Sequence, residues 1–272
     1  MNAEEMSHVE RVLADICTQF EVHESIQSTN TRALQLADEG APHGTVVWSD
    51  QQTDGRGRRG RDWYSPPSQN VYLSVILRPE LPALRAPQFT LDAACAVADA
   101  LEQHVNIPGL RLKWPNDIVI VTSCEEQVFL KLGGILTELR TNDNMIDALV
   151  VGVGINVGRM AETPVRQIAV GLLDLDPDLC GERDRSLTSF RAHLTGSIVD
   201  GLIKRSNAFQ IRRQFDRSAW LARALSFGRE VQVSIPGMTA FNATTVDLDE
   251  AGQLRVRRGN EIEVIVGGEV SF

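Results

Sequence analysis

Cysteine and histidine are too few and too scattered to build a metal centre. The four cysteines, Cys17, Cys95, Cys124 and Cys180, form no CxxC pair, and the five histidines, His8, His23, His43, His104 and His193, show no HExxH spacing. Zinc-site and disulfide-framework chemistry are therefore set aside, and the thiols read as buried or incidental. Long apolar runs are missing too, with no stretch approaching the ~20 residues of a membrane span. The opening MNAEEMSHVERVLADICTQF carries acids where a secretory leader carries positive charge, and it has no continuous apolar core. These absences predict a soluble, cytoplasmic protein. Positive charge is also short: 27 Lys and Arg against 36 Asp and Glu leave a net charge of -9, which argues against the broad basic surface of a general nucleic-acid binder. The 272 residues suffice for one large core with a smaller appendage.

One stretch reverses that charge balance. QTDGRGRRGRDWYSP, Gln52 to Pro66, sets Arg56, Arg58, Arg59 and Arg61 among Gly55, Gly57 and Gly60. Glycine permits close backbone approach, and arginine supplies a planar fork of donors that matches carboxylate or phosphate. The segment reads as a mobile anion clamp. Three other readings compete with it. GRGRRG fits the GxGxxG pattern of dinucleotide folds, but that pattern needs a helix to begin there, and Asp62 to Pro67 is a turn with two prolines. A nucleic-acid arm would sit in a long biased tail, whereas this run lies between two apolar strand-like segments. A solvated basic loop stays open on this stretch alone.

Taken in order, the chain predicts a helix over Met6 to Phe20 and an extended segment over Glu21 to Ile26, which leaves no room for a helix-turn-helix. Ser28, Thr29 and Asn30 precede a helical pattern closed by Gly40; they read as an N-cap, or as three polar groups presented to a small ligand. Gly44 to Gln51 and Asn70 to Arg78 read as strands flanking the arginine loop, and Pro87 to Val105 as a buried, alanine-rich helix. In RLKWPNDIVIV, Arg111 to Val121, a strand stops at Pro115 and resumes at Ile118, bringing Lys113, Trp114, Asn116 and Asp117 to one strand end. An acidic loop over Ser123 to Gln127 leads to VFLKLGGILTELR. There Lys131 is a cation in an apolar strand, costly unless it is paired or meets an anionic ligand. The ligand is favoured because Gly133 and Gly134 would let a substrate approach the backbone. ALVVGVGINV, Ala148 to Val157, is an apolar strand that ends on the amide of Asn156. Ser186 to Leu225 holds one or two helices. From Ser226 on, short strands with turn signals at Pro236-Gly237, Asp249 to Gly252 and Gly267-Gly268 predict a small β-barrel. The boundary falls near residue 225, giving units of 1–225 and 226–272.

GRGRRGRDWYSP, KWPND, KLGGILTEL and VGVGINV, in this order and followed by GGEVSF, resemble the motifs of the biotin protein ligases; the likeness runs from Ser28 to the end of the chain. The resemblance implies an α+β fold, with a mixed central sheet flanked by helices and a small C-terminal SH3-like β-barrel. It implies that biotin and ATP, with Mg2+, form biotinyl-5'-AMP and pyrophosphate. The biotinyl group then passes to one lysine of a biotin carboxyl carrier protein. Carried over residue by residue, Ser28, Thr29, Asn30 and Gln52 would meet the ureido end of biotin, Arg56, Gly57 and Arg58 would cover the ligand, and Gly134 would lie against it. Lys131 would meet the carboxylate and then the adenylate phosphate, Arg58 would hold the charged reactants, and Asp117 would orient the incoming lysine. Arg61, Trp63, Lys131 and Asn156 would help hold the nucleotide. A homodimer through the main sheet also follows from the resemblance.

Two departures stand out. Some relatives continue past the GGEVSF-like strand with an arginine near ATP, and some stack an aromatic on adenine shortly after the strand carrying the asparagine, where Arg166 to Val170 supplies none. The chain resembles the form of the family without an N-terminal DNA-binding domain, so no repressor role is expected. A lipoate or octanoyl ligase shares the acyl-transfer logic and is the near alternative; a non-catalytic regulator binding biotin or nucleotide is the distant one.

Overall fold

The computed structural model describes residues 3–17, 19–122, 129–160, 169–179, 186–225 and 227–272. In chain order its elements are α1 (Ala3–Ala14), β1 (Phe20–Ile26), α2 (Thr29–Asp38), β2 (Thr45–Gln52), β3 (Val71–Leu77), α3 (Ala86–His104), β4 (Leu110–Lys113), β5 (Asp117–Val121), β6 (Phe129–Asn142), β7 (Met145–Ile155), α4 (Leu172–Leu175), α5 (Leu187–Arg212) and α6 (Arg217–Ala222). Five more strands follow: β8 (Glu230–Ser234), β9 (Phe241–Leu248), β10 (Leu254–Arg258), β11 (Glu261–Ile265) and β12 (Glu269–Ser271). No helix among the described residues is long and apolar enough to cross a membrane.

The first seven strands form one sheet in the order β1-β2-β3-β7-β6-β5-β4. β1 and β2 pair in parallel, whereas β2-β3-β7-β6-β5-β4 pair antiparallel, so the sheet is mixed as expected. Alternation along the strands divides its two faces. Val46 and Trp48 of β2, Val71, Leu73 and Val75 of β3, and Leu149, Val151 and Val153 of β7 join the main core with residues of α1, α3 and α5. There Phe89 and Phe209 meet edge to face at 5.4 Å between centroids, and the Trp48 indole N–H donates to Thr195 Oγ1 at 3.2 Å. The opposite face carries Val47, Ile76, Ala148 and Val150, covered by Ala33, Leu34, Leu36 and Ala37 of α2. α2 is only ten residues long and covers only part of that face.

The strand expected to pause at Pro115 does not resume in line. β4 and β5 are antiparallel neighbours, with Lys113 opposite Asp117 across the ladder. The C-terminal strands form a second, wholly antiparallel sheet in the order β11-β10-β9-β8-β12, with β11 and β12 at its edges. Contacts with the rest of the chain include the Trp114 indole N–H, which donates to the Gly252 carbonyl at 3.0 Å, and Arg217, which donates to the Leu248 carbonyl at 2.7 Å. The acidic loop over Ser123 to Gln127, and the residue at which the second unit was expected to begin, Ser226, lie outside the described residues.

Candidate active site

Where α2 stops covering the sheet, the floor loses its side chains. Ala148 and Val150 on β7 give way on the same face to Gly152 and Gly154, which pair with Leu136 and Gly134 of β6. The space above them is a cavity of about 740 Å³. Its walls are the N-terminus of α2, the end of β2, the arginine loop, the β4–β5 turn and Lys131. Every site residue predicted from the sequence lines it except Asp117, which stands behind Lys131.

The two glycines of GVG therefore make room for side chains. A methyl group at Gly152 would lie 2.0 Å from Asn30 Oδ1, and one at Gly154 would lie 2.5 Å from the Trp63 ring. The GxG of this strand is a packing device, set by what leans over it.

At the polar end, Ser28, Thr29 and Asn30 are all buried. Ser28 occupies the N-cap position of α2, yet its hydroxyl makes no capping bond, contrary to the capping expectation. The Thr29 N–H donates to Gln52 Oε1 at 2.9 Å, and Gln52 Nε2 donates to Ser65 Oγ at 3.0 Å, so α2 is tied to both ends of the arginine loop. Ser74 of β3 lies 2.8 Å from Thr29 Oγ1 and 2.6 Å from Asn30 Oδ1. Ser74 escaped the sequence reading; its one signal is a lone hydroxyl in the apolar run VYLSVIL.

At the charged end, Lys131 Nζ lies 2.7 Å from Asp117 Oδ1 and 5.3 Å from the Trp63 ring centroid. Lys113 Nζ lies 3.7 Å from Asp117 Oδ2. One carboxylate thus stands between two ammonium groups, leaving a net positive charge beside the cavity. Burial lowers the Lys113 pKa; Asp117 opposes that shift and Lys131 adds to it. Asn156 is buried and turns its Nδ2 to the Lys131 carbonyl at 3.2 Å, so the amide at the end of β7 braces the strand that carries the lysine.

The arginine loop folds back on itself, with the Gly57 N–H donating to the Arg61 carbonyl and the Trp63 N–H donating to the Gly55 carbonyl. Its tip is a single 3-10 turn, Arg58–Gly60, with Arg59 at φ 58. No long helix begins there, which removes the dinucleotide reading of GRGRRG. The four arginines reach four different acceptors. Arg56 pairs with Glu138, Arg58 Nη1 donates to Asn116 Oδ1 at 3.0 Å, Arg59 reaches the Ser234 carbonyl at 3.5 Å, and Arg61 pairs with Glu269 of β12. Burial lowers the Arg58 pKa, and the charges of Glu269 and Asp117 partly restore it. The indole N–H of Trp63 is buried and has no hydrogen-bond partner among the described residues. Of the stretch in which an adenine-stacking aromatic was sought, Arg166, Gln167 and Ile168 lie outside the described residues, and Ala169 lines the cavity. Among the described residues, no three His, Cys, Asp or Glu side chains gather as a metal site.

An arrangement of buried amides and hydroxyls at one end and paired cations at the other suits a ligand with a polar uncharged head and an anionic tail. Comparison with known proteins points the same way. Residues 22–156 match the Biotin/lipoate A/B protein ligase family, and residues 226–272 match the Biotin protein ligase C terminal domain. The Biotin--[acetyl-CoA-carboxylase] ligase of Mycobacterium tuberculosis is 30% identical over 256 residues, covering 93% of this chain and 88% of that protein. That of Paracoccus denitrificans is 31% identical over 258 residues, covering 90% and 97%. The bifunctional ligase/repressor BirA of Bacillus subtilis is 41% identical over 137 residues, which span 50% of this chain and 40% of that protein's length. In three dimensions, the chain is similar to the biotin protein ligase of Aquifex aeolicus in complex with biotin and ATP, with a TM-score of 0.72 at 26% identity, covering 94% of this chain and 98% of that one. Sequence likeness along nearly the whole length of two relatives, together with a shared three-dimensional fold, establishes that the chain belongs to the biotin protein ligases.

Proposed function

We propose that this chain joins biotin to ATP as biotinyl-5'-AMP, releases pyrophosphate, and passes the biotinyl group to a lysine of the biotin carboxyl carrier domain of a carboxylase. The observation that carries this reading is the single cavity in which Ser28, Thr29, Asn30 and Gln52 stand at one end and Arg58, Lys131 and Asn156 at the other. Biotin's uncharged ureido group matches the first set and its carboxylate the second. In the first half-reaction the carboxylate oxygen attacks the α-phosphorus and the bond to pyrophosphate breaks, so two anions must approach. Lys131 and Arg58 offset their repulsion in a site where burial strengthens each interaction. Trp63 lies over Gly154 and beside Lys131, where it would exclude water from the acyl adenylate. In the second half-reaction the neutral amine of the carrier lysine would attack the acyl carbonyl, forming the amide as the bond to AMP breaks and a proton leaves the nitrogen; Asp117, beside Lys131, would orient that lysine. Mg2+ enters this reading as the partner of ATP, since the carboxylates at the site are scattered: Asp62 lines the cavity, Asp117 is held by two ammonium groups and Glu138 by Asn30 and Arg56. We read residues 1–225 as the catalytic unit and 226–272 as an SH3-like unit; the fully antiparallel second sheet supports the latter. A homodimer through the main sheet and a cytoplasmic location belong to the same reading.

The deciding measurement is exchange of labelled pyrophosphate into ATP. Exchange that requires biotin is expected; no exchange with biotin, or exchange with lipoate alone, would overturn the proposal. A second result concerns the floor. Gly152→Ala is expected to weaken biotin binding about tenfold or more, because the added methyl would displace Asn30 from its bonds to Ser74 and Glu138. Calorimetric titration checks this, and an unchanged Kd would show that Asn30 does not shape the pocket.

A further inference from the structure

An acid near an anion site needs a reason. Glu138 lies on β6 on the same face as Gly134 and Leu136, two strand positions beyond the cavity floor, and only a quarter of its side chain, 26%, is exposed. Left unpaired there, its charge would repel an anionic substrate across a poorly solvated gap. Its Oε2 instead accepts from two directions: from Asn30 Nδ2 at 2.8 Å, and from Arg56 of the arginine loop. Asn30 gives its second amide hydrogen to the Leu136 carbonyl at 3.2 Å, and its Oδ1 lies 2.6 Å from Ser74 Oγ. The head of the pocket is therefore tied to the loop that covers its tail through one carboxylate.

Resting on the proposed ligase reading, we propose that Glu138 is a positioning residue that couples the biotin-head pocket to the arginine loop, holding the loop closed over the acyl adenylate through Arg56. Two consequences follow from the chemistry. Arg56 gives an Nη group to a carboxylate, whereas Arg58 donates to the neutral Asn116 and keeps its charge for phosphate. Asn30 is held by three bonds, so a ligand that moves it also moves the acceptor of Arg56. A neutral amide at 138 could still accept from Asn30, but it would lose the charge that fixes a guanidinium, and bonds to charged groups are the stronger ones.

The test loads the full-length protein with biotinyl-5'-AMP, made in place from biotin and MgATP, and follows its release after dilution. Glu138→Gln is expected to raise the release rate about tenfold, while the rate of transfer from bound adenylate to a carrier domain stays near that of the parent. Arg56→Gln, altered at the surface end of the same contact, is expected to give the same increase, and the double variant no more than either single one. A purely structural role would lower the unfolding midpoint without this kinetic split. Parental release rates in a folded Glu138→Gln or Arg56→Gln protein, or effects that multiply in the double variant, would overturn the coupling while leaving the ligase reading intact. A parent that forms no adenylate from biotin and ATP would instead overturn the ligase reading and the coupling with it.

Discussion

Replacing Lys131 with alanine is expected to slow adenylate formation by a factor of about 10²–10³, the usual cost of removing one preorganised donor from a site of developing negative charge. Among the described residues no second lysine lines the cavity, and Arg58, the other cation given to the charged reactants, is engaged with Asn116. Lys131 is the lysine on the cavity wall, held by Asp117 at 2.7 Å and flanked by the Trp63 ring. Lys113 approaches the other oxygen of Asp117 from outside the lining, so after the substitution it would still neutralise the carboxylate without reaching the substrate. The fold should therefore tolerate the change, because no buried charge is left unpaired. Pyrophosphate exchange would collapse, whereas transfer from supplied biotinyl-5'-AMP to a carrier would fall much less, since the acyl–phosphate mixed anhydride is already made. An exchange rate near that of the parent would remove Lys131 from the first half-reaction. Equal losses in both half-reactions would assign it to binding rather than to the charge that develops on adenylation.

Much of this site could be read before any coordinates. Local chemistry made it legible: four arginines among glycines in an acidic chain, a cation in an apolar strand, and an asparagine closing a strand each violate the pattern of their surroundings. The strands and the long helices were legible for the same reason, as Pro87 to Val105 and α3 illustrate. What stayed hidden depends on distance in the sequence. Glu138 meets Asn30 across 108 positions and Arg56 across 82, and nothing in LTELR distinguishes it from a solvent-facing acid of a half-buried strand. Arg61 reaches Glu269 across 208 positions, which makes the second sheet a neighbour of the loop. The pairing of Lys113 with Asp117 was obscured differently. Their i,i+4 spacing suggests one interrupted strand, and only the turn into an antiparallel neighbour sets them opposite one another. The glycines of GVG were visible but their purpose was not, because the side chains they admit come from α2 and from the loop.

The largest effect on stability is expected at a pair that touches no substrate. Asp50 at the end of β2 is fully buried and pairs at 2.7 Å with Arg191 of α5, whose side chain is only 2% exposed. The guanidinium also donates through Nε to the Asn70 carbonyl at 2.8 Å and lies 5.3 Å from the Trp48 ring centroid. Asp50 in turn accepts from the backbone N–H of Ser68, two residues beyond Pro66 where the arginine loop ends. Asn70 Oδ1 takes the N–H groups of Val157 and Gly158, which follow Asn156. One ion pair thus fixes the exit of the arginine loop and the strand end that carries Asn156. Arg191→Met removes the cation but keeps most of the volume, taking from the buried carboxylate the guanidinium that meets it at 2.7 Å; that should cost about 3–5 kcal/mol. A chain of this size has on the order of 5–15 kcal/mol in total, so the denaturation midpoint would fall steeply. Adding Asp50→Asn should restore part of the loss, since the amide oxygen can still accept from Ser68 and no charge remains to be stranded. Urea unfolding of the parent, the single variant and the double variant measures the difference. If Arg191→Met unfolds within about 1 kcal/mol of the parent, the carboxylate has found water or a proton, and the pair does not hold the clamp in place.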